Sequence, residues 1–349
     1  MDISTEVLHL ALRDPFRIAR EEPDRAITTV ILRWTLEGLS GDGEAFPVAY
    51  YGETSGTVGA IVPLLAHAIE PLGVPPANVG EARTWLEQAS VRMGVALGRN
   101  GAAKAGMDIA LHDAVARGMG IPLHELLGTP ATGQPTDFSI GIDEPSLVAE
   151  RATRHAHFPA LKIKVGGPAD LETLEAVRAV YGGALRVDAN TGWQPEAGAK
   201  LIPELERLGV ELIEQPFPAH QLPQLRWLQE RSPLPIVADE SAVWIHQLEG
   251  LVGVVAGVNV KIMKCGGVGP GLAMMRRARE LGFKIFLGCM EETSVAIAAA
   301  ATLASLADWV DLDGNLLLAR DPWVGLELAD DKRWRLTEAP GLGVRQRPD

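Results

Sequence analysis

The 349-residue chain is 47% hydrophobic and 22% charged, a globular composition with room for more than one domain. Its net charge of −13, with no basic stripe or polybasic run, argues against nucleic acid and anionic membrane as partners. Nothing at the N-terminus reads as a signal peptide, and no apolar stretch reads as a membrane span. Cys265 and Cys289 are the only cysteines and lack zinc-site spacing, which fits a reducing cytoplasm.

Residues 1–60 alternate like strands in EVLHLAL and TTVILRWTL, around a polar insert, PFRIAREEPDRA, and a loop, GEAFPVAYYGETSG. Residues 60–120 turn helical, with Met107, Leu111 and Val115 recurring every four positions until Gly118 and Gly120 stop the pattern. Together these make an α+β unit over 1–125.

From 126 to 319 the chain becomes regular. Strands are expected at 138–143, 161–166, 184–190, 210–216, 235–241, 257–263, 284–290 and 309–314, most of them separated by helical patterns. Eight βα repeats with nearly continuous apolar strands predict an α/β fold built on a parallel, TIM-type barrel rather than an open doubly wound sheet. The segment 320–349 is too long for a final barrel helix alone and is expected to return to the first unit.

Functional groups of such barrels sit at the C-terminal ends of the strands. Asp188, Glu214 and Asp239 end three successive apolar runs, ALRVDAN, VELIEQP and PIVADES. Three carboxylates without His or Cys suit Mg²⁺, with Mn²⁺ as a second choice. Strand-end carboxylates also cap helices, but that role does not require three in successive repeats. Lys162 and Lys164 share one strand face, and their like charges should depress each other's pKa and prepare a neutral base. Lys261 ends a strand four repeats later, nearly across the barrel. A metal between two opposed bases suits removal and return of a proton at one carbon, with the metal steadying the enediolate. Lys264 follows its strand and ranks below Lys261. GGVGPG, 266–271, lacks both dinucleotide and P-loop spacing and reads as a close loop.

The runs LKIKVG, RVDANTGW, VELIEQPFP, IVADES and VNVKIMKCGG resemble the muconate-lactonizing subgroup of the enolase superfamily, and the likeness spans essentially the whole chain. The resemblance implies a modified (β/α)7β barrel under a capping domain built from both termini, with lid loops near 15–27 and 47–57. It implies that Asp188, Glu214 and Asp239 bind Mg²⁺, that Lys164 and Lys261 are the acid/base pair, and that Lys162 assists electrostatically. WVDLDG, with Asp311 and Asp313, resembles the Asp-x-Asp signature of the dipeptide epimerases, where two carboxylates hold a substrate ammonium. The implied activity is 1,1-proton transfer at the α-carbon of a dipeptide's C-terminal residue. An N-acylamino acid racemase or o-succinylbenzoate synthase is the alternative, and muconate cycloisomerisation a third. Glu292, Arg20 and Tyr51 are expected to line the substrate pocket, and a homo-oligomer is compatible with the reading. Arg17 or Arg20 would suit an acidic substrate side chain, which the neighbouring Glu21, Glu22 and Asp24 would repel.

Overall fold

In the computed structural model, which describes residues 1–348, the alternating N-terminal runs form an antiparallel meander of β1 (Asp2–Phe16), β2 (Asp24–Leu36) and β3 (Leu39–Ala45). Glu37 and Gly38, both with positive φ, make the two-residue turn that the right-handed twist of a hairpin favours. Pairing of β1 with β2 runs to Ala11 and Ala26, then breaks, with Phe16 opposite Asp24. The residues between Phe16 and Asp24 are thereby released as a loop.

Three helices cover the meander. α1 (Ser55–Ile69) starts at a reciprocal capping box of Thr54 and Thr57, and Asn78 caps α2 (Val79–Ala96) through Gly80 and Glu81. α3 (Gly101–Met119) is buried on every side from Gly101 to Ala116, because it lies between the meander and the barrel. Ser55–Leu72 is long and apolar enough to cross a membrane by length and mean composition alone, though it is not an uninterrupted apolar stretch. It also carries Pro63, His67 and Glu70, and it packs Val58, Val62, Leu65 and Ile69 against α2 and α3.

The barrel strands are β4 (Phe138–Ile140), β5 (Ala160–Lys164), β6 (Ala184–Asp188), β7 (Val210–Glu214), β8 (Ile236–Ala238), β9 (Gly257–Lys261), β10 (Lys284–Gly288) and β11 (Trp309–Asp311). All pair parallel in chain order, and a Thr136–Val310 bridge closes the ring. Seven crossovers join them. After β11 comes only a four-residue helix, Gly314–Leu317, so the barrel is (β/α)7β and not eight full repeats.

The strands begin within a residue of their expected starts but end two to three residues sooner. Asn190, Thr191 and Gln215 adopt left-handed φ values of 40°, 69° and 31°, which ends the extended backbone. After Lys261 the chain turns at once into a helix, Ile262–Cys265. The polar residues beyond Asp188, Glu214, Ala238 and Asp311 are therefore on loops that curl over the mouth.

The C-terminal segment runs back along the first unit. Ala319 N donates to Ala11 O at 2.8 Å, Leu123 N to Gly341 O at 2.9 Å and Leu342 N to Asp113 at 2.8 Å. Asp349 lies outside the described residues.

Candidate active site

Parallel register sets the mouth. Lys164, Asp188 and Glu214 are Cα partners across β5, β6 and β7, and Asp239 follows β8 by one residue. On the other side, Gly288 is partner to both Lys261 and Asp311. Lys164 and Lys261 thus end strands four apart, facing each other across the carboxylates. Beneath them the barrel is filled by Leu212, Val237 and Phe286, and the cations of Lys162 and Arg186 lie 5.6 and 5.5 Å from the Phe286 ring centre.

Each carboxylate is fully or almost fully buried and gripped by nitrogen. Lys164 Nζ donates to Asp188 at 2.6 Å, Lys261 Nζ lies 3.1 Å from Asp239 Oδ2, and Lys264 Nζ donates to Asp239 Oδ1. Asn259 Nδ2 donates to Glu214 Oε1 at 2.5 Å. Burial opposes ionisation of Asp188, yet Lys164 and Lys162 hold its pKa below the ordinary value. The same contest, won by Lys261 and Lys264, holds Asp239 far down. Glu214 is the exception. Burial, then the charge of Asp188, pushes it up to about 8, and its Oε2 has no hydrogen-bond partner.

The expected depression of the Lys162 pKa beside Lys164 is not what the surroundings produce. Burial lowers the Lys162 pKa, but Asp311, Glu214 and Asp188 outweigh it and raise it well above the ordinary value. Lys162 donates to Asp311 and lies 3.5 Å from Glu214. Carboxylates around it outnumber cations, so attraction wins over like-charge repulsion.

Among the described residues, no three acidic, His or Cys side chains converge tightly on one point; Asp188 pairs with Lys164 and Asp239 with Lys261. The donor set nevertheless fits a hard divalent cation. It is all carboxylate oxygen on or just beyond neighbouring strands, and Glu214 Oε2, 3.5 Å from Lys162 Nζ, is a buried acceptor that makes no hydrogen bond among the described residues.

Asp311 and Asp313 meet at Ser139, which donates through Oγ to Asp311 at 3.0 Å and through its backbone N to Asp313 at 2.5 Å. Their environments differ. Asp311 is committed to Lys162, and its pKa is held low against burial. Asp313 has no lysine of its own; burial and the charge of Asp311 push it up to about 7. The pair is therefore not two equivalent ligands, and Asp313 is the carboxylate with capacity to spare.

A cavity of about 480 Å³ opens above these residues. Lys162, Lys164, Lys261, Asp239, Asp311 and Asp313 line it from below, and Arg20 and Tyr51 from the side of the first unit. Arg20 lines the cavity but is spoken for. Its guanidinium donates to Glu240 at 2.5 Å and to Asn190 O at 3.2 Å, and sits 4.3 Å over the Tyr50 ring. Glu292 is not a lining residue. It is fully buried beside Glu44, accepts from Met290 N at 2.9 Å, and burial raises its pKa well above the ordinary value; its neighbour Glu291 faces the cavity instead.

Several site residues escaped the sequence reading. Asn259 stands two positions before Lys261 on one strand, so the alternation that paired Lys162 with Lys164 already pointed to it. Lys264 did not escape but ranks below Lys261 in that reading; the helical turn after β9 brings it back to Asp239, and it also donates to the carbonyls of Asp239 and Asn259. Ser139, in the middle of β4, and Glu240, two residues past β8, carry no signal of their own in the sequence.

Residues 147–349 match the family described as enolase C-terminal domain-like, and residues 2–128 match the mandelate racemase / muconate lactonizing enzyme N-terminal domain. The chain is 37% identical over 311 residues to an L-Ala-D/L-Glu epimerase of Bacteroides thetaiotaomicron, covering 88% of this chain and 78% of that one. It is 35% identical over 355 residues to an L-Lys-D/L-Arg epimerase of Methylococcus capsulatus, covering 98% of each. It superposes with a TM-score of 0.89 on a dipeptide epimerase of Enterococcus faecalis complexed with Mg and the dipeptide L-Leu-L-Tyr, at 32% identity over 98% of both chains. With a parallel (β/α)7β barrel capped by an α+β unit, and both halves matched, the chain belongs to the enolase superfamily.

Proposed function

We propose that this protein is a Mg²⁺-dependent dipeptide epimerase, an isomerase that inverts the α-carbon of the C-terminal residue. The observation that carries the reading is the pair Lys164 and Lys261, ending β5 and β9 on opposite sides of three buried carboxylates. The relatives support it: those above are named for, or hold, dipeptides with quite different side chains, so the shared element is the dipeptide itself.

Asp188, Glu214 and Asp239 would hold the ion. When bound, it supplies positive charge for the substrate carboxylate and for the charge that builds up as the α-proton leaves. The lysines do the proton work. One, neutral, takes the proton from one face of the carbon, the C–H pair stays behind, and the other, as an ammonium, delivers a proton to the opposite face. Inversion follows from their opposed positions. Lys162, held charged by Asp311, adds a fixed positive charge beneath the reacting carbon. Asp313 accepts the free amino terminus, and Phe16, Tyr51 and Met290 give the cavity its apolar wall against water. The two cysteines, free and buried, support a cytoplasmic setting.

The test is proton exchange in D₂O with Mg²⁺ across a set of L,L-dipeptides. Deuterium should enter only at the C-terminal α-carbon, together with the L,D product. No exchange on any dipeptide would overturn the reading, and exchange confined to N-acylamino acids would transfer it to racemisation of those compounds.

A further inference from the structure

In the proposed reaction the α-carbon lies between Lys164 and Lys261 and becomes planar as its proton leaves. The lysines take its two faces, so its three other substituents lie in the plane between them. The carboxylate points to Asp188, Glu214 and Asp239, and the peptide nitrogen to Asp313. The side chain is left with the one remaining direction, toward the loop joining β1 to β2.

That loop is seated on the barrel. A methyl group added at Gly166 or Gly192 would come within 2.5 or 2.6 Å of Ala19 Cβ, so glycine is what lets the loop lie flat there. Arg17 O accepts from Ile142 N at 2.9 Å, and Arg20 reaches Asn190 O and Glu240. The loop therefore spans the ends of β4, β5, β6 and β8, above the three carboxylates.

What it presents to the cavity is acidic. Glu21, Glu22 and Asp24 line the cavity from the lid, and Glu291 lines it from the loop after β10. Glu21 lies 3.5 Å from Arg20, while Glu22, Asp24 and Glu291 have no ion-pair partner among the described residues. These acids feel one another: burial first, then Glu291 and Asp24, raise the Glu21 pKa against the pull of Arg20 and Lys164. Arg20 is already taken by Glu240. A second feature calls for a donor as well. Asn190 is 3% exposed, lines the same cavity beneath the lid, and has no hydrogen-bond partner for its Oδ1.

We infer that the residue undergoing inversion carries a cationic side chain, of lysine or arginine type, recognised by Glu22, Asp24 and Glu291. This rests on the dipeptide reading above. An acidic side chain in the same direction would meet four carboxylates, and among the described residues every Arg or Lys that lines the cavity is already paired with an acid.

The experiment compares L-Ala-L-Lys, L-Ala-L-Arg, L-Ala-L-Gln and L-Ala-L-Glu as substrates for exchange in D₂O with Mg²⁺. The two cationic dipeptides should exceed L-Ala-L-Gln by about tenfold in kcat/KM, and L-Ala-L-Glu should be the poorest. In the wild-type enzyme that advantage should shrink as salt is raised from low to 0.5 M, because half-exposed charges are screened. In the variant E22Q/D24N/E291Q the ratio of L-Ala-L-Lys to L-Ala-L-Gln should fall toward one. Equal or better turnover of L-Ala-L-Gln or L-Ala-L-Glu by the wild type overturns the cationic assignment and leaves the epimerase reading standing. So does an unchanged ratio in the variant, or a ratio indifferent to salt. Exchange on none of the four dipeptides, nor on any other, overturns both.

Discussion

Charges at the barrel mouth and charges on the lid live in opposite surroundings. Lys162, Asp188, Glu214 and Asp239 are at most 2% exposed and engaged with one another through strand-end geometry. Glu21 in the lid has a side chain 43% exposed, and beside it Glu22 and Asp24 make no ion pair among the described residues. Removing one member of a buried charge set strands the others in low dielectric and costs roughly 3–5 kcal/mol. An exposed lid charge is worth about 0.2–1 kcal/mol to the fold. The mouth is thus hard to alter, whereas the lid can change its charge at little cost to stability, which is the division of labour that the proposed proton transfer and side-chain recognition require.

The largest break in this contrast should come from the lysines. Lys164→Ala and Lys261→Ala each remove the base from one face, and inversion should fall by about 10³-fold or more. Exchange followed separately from the L,L and L,D substrates should survive for at most one of them, and for the opposite one in the other variant. Inversion at the wild-type rate in either variant would remove the mouth from the reaction. Asp313→Asn tests the ammonium grip. Loss of a charged acceptor should lower kcat/KM on free dipeptides by about 10–100-fold, with a much smaller loss on N-acetylated analogues. Arg20→Gln sits where mouth and lid meet. Its guanidinium is the donor to the buried Glu240, whose Oε2 has no partner, so the fold should lose about 1–3 kcal/mol. Chemical denaturation measures that loss, and a rise in KM should accompany it if the latch holds the lid.

How much of this could be read from sequence follows the same divide. The barrel was legible because its strands repeat at nearly constant spacing and are almost purely apolar, so each charged residue at an end stood out. Strand ends were misplaced because Asn190, Thr191 and Gln215 bend the backbone left-handed, which residue type alone does not announce. Lys264 was ranked low for following its strand, yet one turn of helix carries it back onto Asp239. Glu292 is the acid that the resemblance places at the site, yet it turns toward Glu44 and the interior while Glu291 lines the cavity, and residue type does not decide which of two adjacent acids faces the mouth. The state of Lys162 is not legible in sequence, because a strand's own neighbours are visible there while Asp311, far along the chain, is not.

The smallest expected effect concerns a carboxylate that resembles those of the mouth in burial but lacks their lysines. Glu53 is 6% exposed and accepts from Ala102 N at 3.2 Å at the start of α3. Burial pushes its pKa up to about 7, against the hydrogen bonds of Ala102 and Gly101 and the charge of Lys104. The unfolded chain releases this proton near pH 4.5, whereas the folded one keeps it to about 7. Between those values the native state binds more protons, so stability falls as pH rises through the window and levels off above it. Glu53→Gln keeps the acceptor and removes the titration, and should flatten that slope. The difference in Tm between wild type and variant should move by about 2 °C in the variant's favour from pH 5 to pH 7.5. A difference that stays constant across the window would mean that the helix N-terminus keeps Glu53 ionised throughout, and that a buried carboxylate here needs no lysine to carry its charge.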